Sequence, residues 1–136
     1  MRIQRAETPA RLDGLAAAEA FFAHCFMTPA ARSIERLWVA HLDDEANCLK
    51  LTSHGGDRTA VGLPVREILR DAATLGSAGV VLAHNHPSGD SSPSPQDCRA
   101  TRSLARAAEA IDLAVVDHLV FAESSQCSSL RQMGLL

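Results

Sequence analysis

Residues 78–84 read AGVVLAH, a short run of small and β-branched residues with no charge until the histidine that ends it. Its brevity and unbroken apolar character predict a strand buried on both faces, and such a strand needs a sheet with helices packed on each side. The remaining sequence supplies those layers. IERLWVAHL, residues 34–42, is rich in strand formers, with Trp38 as a core or edge anchor, and CLKLTS, residues 48–53, returns as a hairpin partner after the turn residues Asp43, Asp44 and Asn47. LAVVDHLVFA, residues 113–122, gives the last sheet segments.

Helix signals fall between these strands. Thr8-Pro9 opens a helix that carries Leu12, Leu15, Ala18, Phe22 and Cys25 at helical spacing to about Phe26, and Thr28-Pro29 permits a further short turn. Gly55, Gly56 and Gly62 mark an irregular connection. Pro64 then opens a helix that turns Val65, Ile68, Leu69 and Ala72 inward and stops at Gly76. Ser94-Pro95 begins another that runs to about Ile111, and the serines around Gln126 form a final loop before LRQMGLL, whose leucines dock. The fold class is α/β, a mixed sheet flanked by helices, in one domain over residues 1–136 with an N-terminal helix within 1–27 and a core over 34–136.

Composition narrows the function. Of 136 residues, 46% are apolar and 21% charged, the balance of a globular domain. The net charge of −3 lacks the footprint of a stand-alone nucleic-acid binder, so any DNA contact would be local. No stretch is apolar enough to span a membrane, and LAAAEAFFAHC carries Glu19 and His24 where a signal peptide would be apolar; the expectation is a soluble, cytoplasmic protein. Cys25, Cys48, Cys98 and Cys127 stand singly and read as reduced packing residues.

The chemistry concentrates in HNHPSGDSSPSPQD, residues 84–97. On extended backbone the side chains of His84 and His86 point the same way, and the Pro-Ser-Gly-Asp turn can fold the chain back to bring Asp97 near them. Two imidazoles and a carboxylate suit a catalytic Zn²⁺, which takes three protein ligands and keeps one position open. On spacing alone a plainer reading stays open: Ser94 and Asp97 also form a capping-box pattern, and two histidines at a strand end also occur as ordinary surface residues.

H-x-H, seven residues, then S-x-x-D resembles the signature of the JAMM (MPN+) metalloproteases, with His84, His86, Ser94 and Asp97 in its places. HNHPSGD with PSPQD, the upstream PVREILRDA and the downstream VVDHLVF together resemble the RadC-like JAB branch, a group historically linked by name to DNA repair. The resemblance runs from about residue 34 to the end. It implies an α/β sandwich related in style to that of zinc deaminases, Zn²⁺ on His84, His86 and Asp97, and hydrolysis of peptide or isopeptide bonds. It further implies a glutamate base upstream, for which Glu35 is preferred to Glu67, and an oxyanion-binding hydroxyl on Ser94. Asn85 stands where many JAMM proteins carry Ser or Thr. His118 in VVDHLVF belongs to the resemblance but reads as a satisfied core residue, and His24, His41 and His54 have no partner at ligand spacing.

Rival classes fare less well. HNH nucleases disperse the residues that are adjacent here, and zinc deaminases need H-x-E with P-C-x-x-C, which this chain lacks. The alternative that survives is a non-catalytic zinc-binding interaction domain associated with DNA repair or recombination. Longer RadC-like proteins carry an N-terminal helix-hairpin-helix region, whereas residues 1–27 leave room for one helix. That makes a peptide or protein substrate the expected partner rather than DNA.

Overall fold

The computed structural model describes residues 10–55, 63–123 and 126–136; Thr8-Pro9, Gly56, Gly62 and the serines at 124 and 125 lie outside them. Its centre is a five-stranded sheet in the order β2-β1-β3-β4-β5, built from β1 (Leu37–Leu42), β2 (Cys48–His54), β3 (Gly79–Asn85), β4 (Ala114–Glu123) and β5 (Gln126–Ser129). The β3/β4 pair is parallel and the other pairs are antiparallel, so the sheet is mixed as the sequence predicts.

Every residue of β3 is buried because helices cover both faces. On one face Ala40, Leu42, Val81, Ala83, Leu119 and Phe121 pack against Ala18 and Phe22 of α1 (Leu15–Ala23) and against Phe26 in the 3-10 turn that follows. Half-buried Trp38 joins this cluster. On the other face Leu37, Val39, Val80 and Leu82 meet Ile68 and Ala72 of α3 (Val65–Leu75) and Leu104 and Ala108 of α4 (Pro95–Glu109). Gly76 closes α3 at φ +68°, a left-handed conformation that glycine adopts without the Cβ penalty. The tail docks through Leu130, with Leu135 and Leu136 packed beside it.

Three boundaries differ from the sequence reading, each for a local reason. The first helix starts at Leu15, not near Pro9, because the backbone of Ala10–Leu12 is already paired: Leu12 N–H donates to Ala46 O at 2.8 Å and Cys48 N–H to Ala10 O at 2.7 Å. β1 starts at Leu37, not residue 34, because the Asn85 side chain, and not a strand, takes the main-chain groups of residues 34 and 36. Gln126–Ser129, read as loop, is the edge strand β5; its polar sequence carries no alternation, and it is held by the ladder with β4 and by Ser129 Oγ donating to Asp117 at 2.6 Å. The expected short turn after Thr28-Pro29 is present as α2 (Pro29–Arg32), with the Thr28 hydroxyl accepting Ala31 N–H.

Phe22 is fully buried at the α1–sheet contact, so Phe22→Ala is expected to remove about 3–5 kcal/mol of stability. Urea denaturation at unchanged m-value measures this, and a loss below about 1 kcal/mol would contradict the packing of α1 on the sheet.

All four cysteines are free thiols, as the sequence reading has them. Burial pushes the Cys25 thiol up to about 11. Since the thiolate is the reactive form, Cys25 should alkylate at mildly alkaline pH roughly a hundredfold more slowly in the folded than in the unfolded chain, which mass spectrometry after timed iodoacetamide exposure would read directly.

Candidate metal centre

The histidine pair sits where β3 leaves the sheet. His84 lies on the same face of β3 as Val80 and Leu82, and His86 follows two residues on, with its N–H still bonded to Phe121 O of the neighbouring strand. The chain then turns sharply: Gly89 N–H donates to His86 O at 3.0 Å with Gly89 at φ +91°, and the Asp90 carbonyl comes back to 2.8 Å from His86 Nδ1. A carbonyl only accepts, so Nδ1 carries the proton and Nε2 faces the site.

α4 delivers the carboxylate. Its start is a complete capping box: Ser94 Oγ accepts Asp97 N–H at 3.0 Å, and Asp97 Oδ2 accepts Ser94 N–H at 2.9 Å. The same Oδ2 lies 3.2 Å from His86 Nε2 and 3.5 Å from His84 Nε2, and the two Nε2 atoms are 3.0 Å apart. Capping and convergence on the histidines are thus both true of Asp97. Ser94 Oγ is an acceptor in the cap and keeps its own proton to donate elsewhere.

Electrostatics follow from this crowding. Burial would raise the Asp97 carboxyl, but the closeness of His84 and His86, aided by the Ser94 N–H, outweighs that and holds it far below the usual carboxylate range. His86 is raised above the ordinary imidazole value, chiefly by its bond to Asp97. His118 is driven well below that value by desolvation and is therefore neutral.

Glu35 reaches the same place through strand register. β1 pairs antiparallel with β3, with Leu37 opposite His84, so two residues further out position 35 comes opposite His86. Glu35, His84 and His86 each offer a ligand atom, and these atoms lie within 4.8 Å of one another, a grouping able to hold a metal ion. Asn85, 1% exposed between the two histidines, fastens this approach: its Oδ1 accepts Arg36 N–H at 2.9 Å, and its Nδ2 donates to Arg32 O and Ile34 O, each at 3.2 Å. Glu67 stands exposed in the first turn of α3.

One residue of the site has no signature in the sequence spacing. His118, 1% exposed on β4, places Nε2 at 2.7 Å from His84 Nδ1. A lone histidine in an apolar strand carries no spacing signal; only the pairing of β4 beside β3, with His118 opposite Leu82, brings it to His84.

A model of the RadC-like JAB domain matches residues 15–135. The chain belongs to that family. Among curated relatives of this RadC-like domain, a UPF0758 protein of Roseiflexus castenholzii is 35% identical over 116 residues, 77% of this chain and 49% of the relative. One from Bordetella avium is 32% identical over 114 residues, 83% of this chain and 50% of the relative, and one from Aromatoleum aromaticum is 42% identical over 81 residues, 60% and 36% respectively. The chain spans about half or less of the length of these relatives. Membership of a RadC-like JAB family agrees with the mixed α/β sheet and with a metal-capable group at the end of β3. Among the described residues, no helix is long and apolar enough to cross a membrane.

Proposed function

We propose that this RadC-like domain is a zinc-dependent hydrolase of peptide or isopeptide bonds, with His84, His86 and Asp97 as ligands, Glu35 as general base and Ser94 as oxyanion donor. The observation that carries this reading is the triangle of His84 Nε2, His86 Nε2 and Asp97 Oδ2, with edges of 3.0, 3.2 and 3.5 Å. Tetrahedral ligands about 2.0–2.1 Å from zinc stand about 3.3 Å apart, so the three atoms have the spacing of one face of such a site. Imidazole nitrogen and carboxylate oxygen are also the donors of catalytic zinc.

Two carboxylates approach the histidines, and their settings separate their roles. Asp97 is fixed by the capping box and shielded, which suits a ligand. Glu35 is exposed and borne on a backbone held from both sides by Asn85, which suits a group that gives and takes protons at the mouth of the site. A divalent ion in this place supplies Lewis acidity, polarising a carbonyl and making water acidic enough to serve near neutral pH. Glu35 would remove the proton from the attacking water and return it to the departing amine, while the free proton of Ser94 Oγ would bond the developing oxyanion.

The test is cleavage of α-linked and ε-lysine-linked peptide reporters by the zinc-loaded chain, with loss on chelation and recovery on adding zinc back. Stoichiometric zinc without turnover of either bond type would discard the hydrolase in favour of a zinc-binding interaction domain.

A further inference from the structure

Behind His84 runs a relay of three short hydrogen bonds. Thr101, fully buried on α4 one turn beyond Asp97, has a single hydroxyl proton, and its Oγ1 lies 2.7 Å from the Asp97 carbonyl and 2.7 Å from His118 Nδ1. The carbonyl can only accept, so it takes the hydroxyl proton, and the second contact requires His118 Nδ1–H to donate to Thr101 Oγ1. A neutral imidazole protonated at Nδ1 has its lone pair on Nε2. That lone pair lies 2.7 Å from His84 Nδ1, which must therefore carry the proton, leaving His84 Nε2 as a bare lone pair 3.5 Å from Asp97 Oδ2. The chain of bonds runs from the Asp97 carbonyl to His84 Nδ1 and leaves the Nε2 lone pair of His84 turned toward the Asp97 carboxylate.

We infer that Thr101 and His118 are positioning residues that fix the tautomer and ring orientation of His84, so that its Nε2 is set to ligate. The two site histidines are then held alike but by different means: His86 by the Asp90 carbonyl of its own turn, His84 by a relay that spans two strands and a helix. An outer partner of this kind raises the basicity of a ligating histidine and spares the ion the work of orienting it, and losing one typically weakens metal binding by about 10–100-fold. The relay also ties ligand geometry to the seating of α4 on β4, because Thr101 and Asp97 share one helix turn.

This inference rests on His84 being a ligand in the proposed zinc site, and two measurements keep the ideas apart. Long-range ¹H–¹⁵N correlation spectra of the histidine-labelled, metal-free full chain read the tautomers directly; protons on Nδ1 of both His84 and His118 are expected, and a proton on His84 Nε2 overturns the relay even if zinc binds. Competition with a chromophoric chelator gives zinc affinity: His118→Leu should bind about 10–100-fold more weakly, while His118→Gln, whose side-chain oxygen can accept from His84 Nδ1–H, should return to within a few-fold of the parent. A folded His118→Leu with unchanged affinity, or no recovery in His118→Gln, refutes the acceptor role. If neither variant folds, the spectra of the parent chain decide. Failure of the parent to bind zinc would sink the metal site and leave the tautomer result standing on its own.

Discussion

On the proposed ligand set, replacing His84 by alanine is expected to abolish zinc binding. The imidazole is 3% exposed and contributes Nε2 to the triangle with His86 and Asp97, so its removal leaves two of the three proposed protein ligands of a catalytic zinc site. The fall in affinity should exceed the roughly 10–100-fold expected for losing an outer partner. The substitution also strips His118 Nε2 of its only described donor, and a buried polar atom left without a partner costs about 1–3 kcal/mol, so a lower melting temperature is expected alongside. Ser94→Ala provides the contrast. It removes the cap acceptor of Asp97 N–H, with an expected cost of about 1 kcal/mol, and leaves all three donors in place, so it should be destabilised yet retain zinc. Elemental analysis after gel filtration compares the two, and stoichiometric zinc in His84→Ala would rule the ligand set out.

The contrast between these variants mirrors what was legible in the sequence. The ligand candidates were visible because they lie within fourteen residues and their types and spacing are chemically selective. β3 was legible from its unbroken apolar run, and α4 from Ser94-Pro95, because local composition decides both. Strand order was less accessible, and with it everything that reaches the site from another element. Glu35 arrives through the register of β1 against β3 and His118 through the pairing of β4 beside β3. Only the family pattern points to Glu35, and His118 is not recognisable because a buried histidine in an apolar strand looks the same in sequence whether it faces a ligand or a methyl group. Thr101 looked like any other helical residue for the same reason. The edge strand β5 is not legible because it is held by its ladder with β4 and by the Ser129–Asp117 bond, and not by any strand-like pattern in its own sequence.

Glu35→Gln should keep zinc and lose turnover. The substitution preserves size and leaves the His84, His86 and Asp97 donors untouched, so affinity for the ion should stay within a few-fold of the parent. An amide cannot take the proton of the attacking water, and loss of a general base typically costs about 10²–10⁴-fold in rate. Asn85→Ala approaches the same step from behind. It frees Arg36 N–H and the carbonyls of Arg32 and Ile34, so the segment that carries Glu35 is no longer tied to the strand that carries the histidines. Turnover should then fall while Glu35 itself remains, and the loss should be smaller than in Glu35→Gln, because a loosened base still visits its position. If Asn85 matters only for folding, zinc affinity and turnover will decline together; if it places the base, kcat will drop with zinc binding intact. Full activity in Glu35→Gln on a reporter that the parent cleaves would move the proton transfer to another group, and Glu67, exposed in the first turn of α3, would be the next carboxylate to replace.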